Sequence, residues 1–172
     1  TVAEFVMGAM LVLLRTGGFH VPAEVVAGSW PRTRIAGGRD AKGLTLGLVG
    51  IGAIARQVAR RAIAFGMRVL ASDPFVAAGH PAWAELGVER RELAAMLPET
   101  DVLSIHVPMT DTTRGMLDAR ALRSLPQGAC VVNTARGGVL DEAELVALLR
   151  SGRLGGAPPP AGPTQPPPPR LP

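Results

Sequence analysis

Apolar and polar positions change period along the chain. In residues 1–15, Val2, Phe5, Val6, Met10, Leu13 and Leu14 recur at helical spacing, and Gly17-Gly18 is expected to end that helix. A second short helix is predicted over 22–27, and residues 31–43, with Pro31, Gly37, Gly38 and Gly43 among several charges, read as a loop. Leu44–Val49 is then a short, continuous apolar run, as a parallel strand buried on both faces requires. Gly50 and Gly52 follow it. Next, Ile54, Val58, Ala62 and Phe65 share one helical face, with Arg56, Arg60 and Arg61 elsewhere, and Gly66 is expected to stop the helix. Met67–Ala71 predicts a strand that ends at Ser72-Asp73-Pro74, and Glu89–Leu97 a helix. Val102–Val107 predicts a strand, Asp118–Leu125 a helix with Asp118 as N-cap, Ala129–Asn133 a strand and Asp141–Arg150 a helix. Strands alternating with helices imply an α/β fold with a doubly wound parallel sheet of Rossmann type.

This divides the chain into leading helices and a linker (1–43), a Rossmann-type domain (44–156) and a tail (157–172) that holds nine of the 16 prolines. Proline gives no backbone donor and cannot sit in a central strand, so the tail is expected to be extended or disordered. It would serve at most as a docking segment for a proline-binding module.

Composition narrows the function. The 172 residues are 47% hydrophobic and 19% charged, enough apolar content for one packed domain. A net charge of +4 raises the possibility of nucleic acid. However, the basic residues never run longer than two, only Lys42 is a lysine, and with no tyrosine and 3% aromatics there is no base-stacking platform. No nucleic-acid partner is expected. The apolar run Phe5–Leu14 is too short to span a membrane, and Glu4 rather than a basic segment precedes it, so neither a membrane partner nor a signal peptide is expected. A single cysteine, Cys130, forbids an internal disulfide and fits a reducing, cytoplasmic setting. Thr1 stands where a start Met would, so a fragment is expected.

The stretch Gly50-Ile51-Gly52-Ala53-Ile54-Ala55 is G-x-G-x-x-A, set between a predicted strand and a predicted helix. Gly50 permits the tight turn, Gly52 lets a diphosphate approach the backbone, and Ala55 lets helix and strand pack closely. N–H groups at the helix start, near Ala53 and Ile54, would face the phosphates. Asp73 follows at the end of the second strand, where a carboxylate accepts from ribose hydroxyls and repels a 2′-phosphate, favouring NAD over NADP. No metal-ligand spacing appears.

Three pieces together resemble the NAD-binding domain of the D-isomer-specific 2-hydroxyacid dehydrogenases, which include phosphoglycerate and glyoxylate/hydroxypyruvate enzymes. They are Leu46–Ala55 with Asp73-Pro74, then Asp101–Thr110 continuing through Thr113-Arg114-Gly115, and Val132–Gly138 followed by Leu140-Asp141-Glu142. Ile54-Ala55 and Trp30-Pro31-Arg32 look most like sulfolactate dehydrogenases. Ala55, where the family more often has glycine, is a mild departure. The resemblance covers about residues 1–157. It implies an oxidoreductase that moves hydride between NAD and the CH–OH carbon of a 2-hydroxy acid (or the matching 2-keto acid). It places Ala53 and Ile54 at the diphosphate, Asp73 at the adenine ribose, and Val107, Pro108 and Thr113 along the cofactor cleft. Thr134 and Ala135 fall beside the nicotinamide half, and Arg136 is the catalytic-site arginine that holds the substrate. A planar guanidinium suits a carboxylate because it binds bidentately. In the family the first helix also contributes to the dimer contact, so a homodimer is an expected partner.

The family's acid–base histidine and its glutamate partner lie beyond the arginine, and neither is found here. The last histidine is His106, and Asp141, Glu142 and Glu144 read as the first turn of a helix, where acidic residues suit the dipole. After Gly152–Ala157 the family pattern gives way to Pro158-Pro159-Pro160, which reads as a shifted reading frame or a misassembled gene end. The chain alone is therefore expected to be poorly stable and inactive, with the Ala129–Asn133 strand exposed as an edge. The alternative is a non-enzymatic NAD-sensing or interaction module, as among the corepressors related to this family. Cys130 is expected as a small core residue, Trp30 and Trp83 as packing residues, His106 in a local hydrogen bond, and His20 and His80 in solvated loops.

Overall fold

The computed structural model describes residues 1–16, 25–30 and 32–158. The helix stop at Gly17-Gly18, His20, the first half of the short helix expected over 22–27, and the proline-rich tail from Pro159 onward lie outside the described residues.

Five parallel strands form one sheet: β1 (Thr45–Val49), β2 (Arg68–Ser72), β3 (Glu89–Arg90), β4 (Val102–Ile105) and β5 (Cys130–Asn133). Their order is β3-β2-β1-β4-β5, which puts the change of direction between β1 and β4. The helices are α1 (Val2–Leu14), α2 (Arg32–Ala36), α3 (Ala53–Ala64), α4 (Ala82–Leu86), α5 (Leu93–Met96), α6 (Ala119–Ser124) and α7 (Glu142–Arg150).

Period-two alternation sorts the strands' side chains between two cores. Leu46 and Leu48 of β1, Val69 and Ala71 of β2, and Cys130 and Val132 of β5 join a cluster with α1 and α3 residues such as Met10, Val58 and Ala62. Leu70, Leu103, Ile105 and Val131 face the other side, among Met96, Leu122 and Leu148 of α5, α6 and α7. Helices cover both faces, so every residue of β1 is buried and the strand reads as an unbroken apolar run. Side-chain carboxylates cap two helices. Asp118 accepts from the Ala121 N–H at 2.8 Å and Asp141 from the Glu144 N–H at 2.9 Å. Glu144 in turn takes the Arg123 guanidinium in two bonds of 2.8 and 2.9 Å, joining α6 to α7.

The structure corrects several local expectations. The helix expected over 89–97 is a short strand, an extended Glu92 and then α5. Glu89 and Arg90 pair with Leu70 and Ala71, and Arg68 binds Glu89 in two bonds of 2.8 and 2.9 Å. Sheet extension thus overrides local helical spacing. The expected loop 31–43 contains α2, and α4, closed by Gly87 at φ +66°, had no period long enough to announce it. Trp83 is buried and donates its indole N–H to the Ala77 carbonyl at 2.9 Å, whereas Trp30 is 67% exposed and does not pack. His80 is exposed as expected, but its Nδ1 accepts from the Ala82 N–H, at the start of α4, at 3.1 Å.

Past α7 the chain returns to the sheet beside β5. Gly155 N–H donates to the Ala129 carbonyl at 2.8 Å, and Val131 N–H to the Gly156 carbonyl at 3.0 Å. The pairing with β5 is confined to this bridge among the described residues, which end at Pro158.

Candidate functional site

The carboxyl ends of β1, β2, β4 and β5 carry the loops singled out above. The β1–α3 turn is the tightest of them. Gly50 sits at φ +89°, and a Cβ there would come within 3.0 Å of Val107 Cγ1 and 3.2 Å of the His106 carbonyl oxygen. Only glycine satisfies both conditions. Gly50 N–H donates to the Ser72 carbonyl at 2.8 Å and His106 N–H to the Val49 carbonyl at 2.9 Å, so β2 and β4 grip the turn from both sides.

Gly52 differs from Gly50. It is the N-cap of α3 in extended conformation, and a Cβ on it would meet nothing within 4 Å. The space beside it is open, as a dinucleotide's diphosphate needs. Ala53 and Ile54 are exposed, and among the described residues their N–H groups, like that of Gly52, have no protein acceptor. Ala55 is fully buried under the turn. The donor set, the open cradle and the helix N-terminus fit a diphosphate.

Asp73 lies on the lip of this turn. Its Oδ2 accepts from the Ile51 N–H at 3.0 Å and its Oδ1 from the Phe75 N–H at 2.9 Å. Each carboxylate oxygen keeps a second lone pair for a hydroxyl donor. Arg56, in the first turns of α3, donates its Nε–H to the Ile51 carbonyl at 2.9 Å.

The loop after β4 carries Val107, half-buried, and Pro108, exposed. The Thr113 hydroxyl donates to the Pro108 carbonyl at 2.6 Å and accepts from the Thr110 N–H at 2.8 Å. Its hydroxyl therefore holds the loop's shape. This loop is laced to the one after β5, through Gly115 N–H to the Gly138 carbonyl at 2.7 Å and Leu117 N–H to the Val139 carbonyl at 3.1 Å.

After β5, Thr134 and Ala135 are half-buried and Arg136 is exposed. Asn133 shapes this turn, although nothing in the sequence marked it beyond its place in the motif. Its Oδ1 accepts from the Ala135 N–H and its Nδ2 donates to the Arg136 carbonyl, both at 3.0 Å. Gly138 turns at φ +80°, and a Cβ on Gly137 would strike Glu142 Oε1 at 2.6 Å. Among the described residues no carboxylate pairs with Arg136; its Nη1 donates to the Ala135 carbonyl at 3.0 Å.

His106 does not reach outward as a proton donor. Its Nε2 is 2.9 Å from the Ser104 hydroxyl, and burial pushes its pKa down to about 4. Cys130 is buried, and burial raises its thiol pKa. No group of three or more potential metal ligands occurs among the described residues, and no described helix is long and apolar enough to cross a membrane.

The family model for the D-isomer-specific 2-hydroxyacid dehydrogenase NAD-binding domain matches residues 7–170. The chain belongs to this family. It is the family's NAD-binding domain, and NAD is its cofactor. It is 47% identical to a (S)-sulfolactate dehydrogenase of Chromohalobacter salexigens, over 91% of this chain and 50% of the relative. A hydroxypyruvate reductase of Thermotoga maritima is 38% identical, over 90% of this chain and 48% of the relative. The apo-structure of D-lactate dehydrogenase from Escherichia coli superposes with a TM-score of 0.80 at 32% identity, covering 91% of this chain and 48% of that one. The chain spans about half the length of the curated relatives it matches.

The half-buried His106 gives this dehydrogenase domain a directional pH response. Its folded pKa, about 4, lies below the ordinary 6.5, so the folded state disfavours the imidazolium. Stability from this residue is complete above pH 6.5 and drains away as pH falls to about 4. Urea denaturation at pH 7 and pH 4.5 is expected to show a smaller loss for His106→Gln than for the wild type. An equal loss in both proteins would contradict this.

Proposed function

We propose that the chain works as the cofactor half of an NAD-dependent dehydrogenase acting on a small 2-hydroxy or 2-keto acid. One observation carries the reading. The β1–α3 turn pairs an open glycine cradle, and N–H groups that have no acceptor among the described residues, with a lip carboxylate fixed by two backbone bonds. Gly52, Ala53 and Ile54 hold the diphosphate on the turn that Gly50 makes possible, and Asp73 the adenine ribose. Val107, Pro108 and Thr113 form the wall after β4, and Thr134 and Ala135 the floor beneath the nicotinamide half. When bound, NAD supplies the hydride acceptor.

Arg136 is the anchor for the substrate carboxylate. It projects from a turn kept narrow by Asn133 and Gly138, and its exposed guanidinium has no competing carboxylate among the described residues. A guanidinium is a permanent cation, so it orients the anion but takes no proton near neutrality. The described histidines do not supply that step, because His106 is bound to Ser104 and His80 to the Ala82 N–H. The proton-transfer group therefore comes from outside the described residues. Identity to the sulfolactate enzyme exceeds that to the hydroxypyruvate and glycerate enzymes (47% against 38% and 35%), which favours a substrate bearing a second anionic group.

Helix α1 supports a homodimer. Apart from Glu4 it is apolar all round, yet Val2 and Phe5 remain 41% and 42% exposed beside the buried Val6 and Met10. A helix apolar on every side is ordinarily covered on every side. A second copy supplies that cover.

Calorimetric titration of the chain with NAD is expected to show binding, with Asp73→Ala weaker by about tenfold and no longer discriminating against NADP, as loss of a charged hydrogen-bond acceptor implies. Equal NAD affinity in both proteins would sink the ribose assignment. The purified chain should show no NAD-dependent oxidation of lactate, glycerate or sulfolactate, and measurable turnover would refute the missing proton-transfer group. In sedimentation velocity, Phe5→Glu should shift a dimer to monomer; a wild type that is monomeric throughout would remove the dimer.

A further inference from the structure

We propose that Arg56 is a positioning residue for the diphosphate turn. Its Nε–H clamps the Ile51 carbonyl and thereby aims the Gly52 N–H into the open cradle. This rests on the reading of that turn as a dinucleotide site.

The argument starts from one planar unit. The Ile51 carbonyl and the Gly52 N–H belong to the same trans peptide, so they point in opposite directions. Fixing one end fixes the other. Arg56 holds the carbonyl end through Nε at 2.9 Å. The Gly52 N–H, facing the other way, has no protein acceptor among the described residues.

The neighbouring units are held independently. The peptide before Ile51 is fixed by its N–H on Asp73 Oδ2 at 3.0 Å, and the Ile51 side chain is 1% exposed. On the far side, the Arg56 backbone N–H donates to the Gly52 carbonyl at 3.0 Å. One residue thus grips both flanks of Gly52, by side chain and by main chain. The peptide between them needs this grip, because it adjoins a glycine. Glycine is the most freely rotating residue, and Gly52 has no Cβ, with open space where one would stand, so no side chain of its own restrains the plane.

The working group is the Nε–H donor rather than the charge. Glutamine places its Nε2–H₂ the same number of bonds from the backbone as arginine places Nε. Methionine places a methyl group there. Lysine places a methylene there and carries its charge one atom further. Arg56 is only half-buried, so none of these exchanges empties the core.

The test uses calorimetric titration of the full chain with NAD, together with the amide resonance of Gly52 in the cofactor-free protein. Arg56→Met and Arg56→Lys are expected to lose about tenfold in affinity and to move the Gly52 amide signal, as loss of one aligned donor implies. Arg56→Gln is expected to stay within about threefold of the wild type and to keep that signal in place. Equal losses in Arg56→Gln and Arg56→Met, with Arg56→Lys unharmed, would overturn the proposal in favour of a charge acting on the phosphates. An unmoved affinity in Arg56→Met would overturn it outright. A wild-type chain that binds no NAD would instead defeat the proposed function, and the Gly52 signal would still decide whether Arg56 sets that peptide.

Discussion

The structure depends on how closely the chain passes between β1 and α3. At Gly50 the backbone turns at φ +89° against the His106 carbonyl and Val107, leaving no room for a side chain. That contact sets the distance between the turn and the loop after β4. It also lets α3 start at once, with Ala55 fully buried beneath it. A looser turn would lift α3 from the sheet and pull Ile51 away from Asp73. The two glycines thus divide the work. Gly50 is required by what already surrounds it, and Gly52 by what has yet to arrive.

The sequence made the sheet legible because its strands are buried on both faces. Such strands are continuous apolar runs, and glycine or aspartate ends β1 and β2. It made the first layer of the site legible for the same reason. Gly50, Gly52 and Asp73 are defined by spacing from a strand end, which survives without knowledge of the fold. What stayed hidden depends on partners distant in sequence. β3 is two residues long and exists only because Leu70 and Ala71 offer it an edge, so Glu89–Leu97 looked helical on local spacing alone. Trp30 has an aromatic's usual bias to the interior, but it is 67% exposed. Asn133 and Arg56 act through main-chain carbonyls and N–H groups, and no residue pattern records where those groups point.

Thr113 and Asn133 show why the proposed cofactor wall is a shape before it is a set of contacts. The Thr113 hydroxyl is spent on Pro108 and Thr110, and both ends of the Asn133 amide are spent on its own turn. Side chains bonded in this way cannot also reach far for a ligand, yet removing either would leave main-chain groups unsatisfied and let the loop spread. The lacing of Gly115 to Gly138 then moves the two loops as one body. Arg136 is mounted on that body, so its position relative to the glycine turn is set by the sheet.

The edge of β5 follows from the chemistry of one residue type. In a parallel strand, alternate residues present both their N–H and C=O to the same side. Ala129 and Val131 face outward from the sheet, and Gly155 and Gly156 satisfy one group of each. Continuing the ladder needs an N–H two residues further on, and that residue is Pro158, which has none. Among the described residues the pairing goes no further, and a groove of about 200 Å³ lined by Val131, Leu140, Leu145, Val146 and Pro158 lies beside it. Among the described residues, that side of the domain is held by α7, through the Asp141 cap and the Arg123–Glu144 pair.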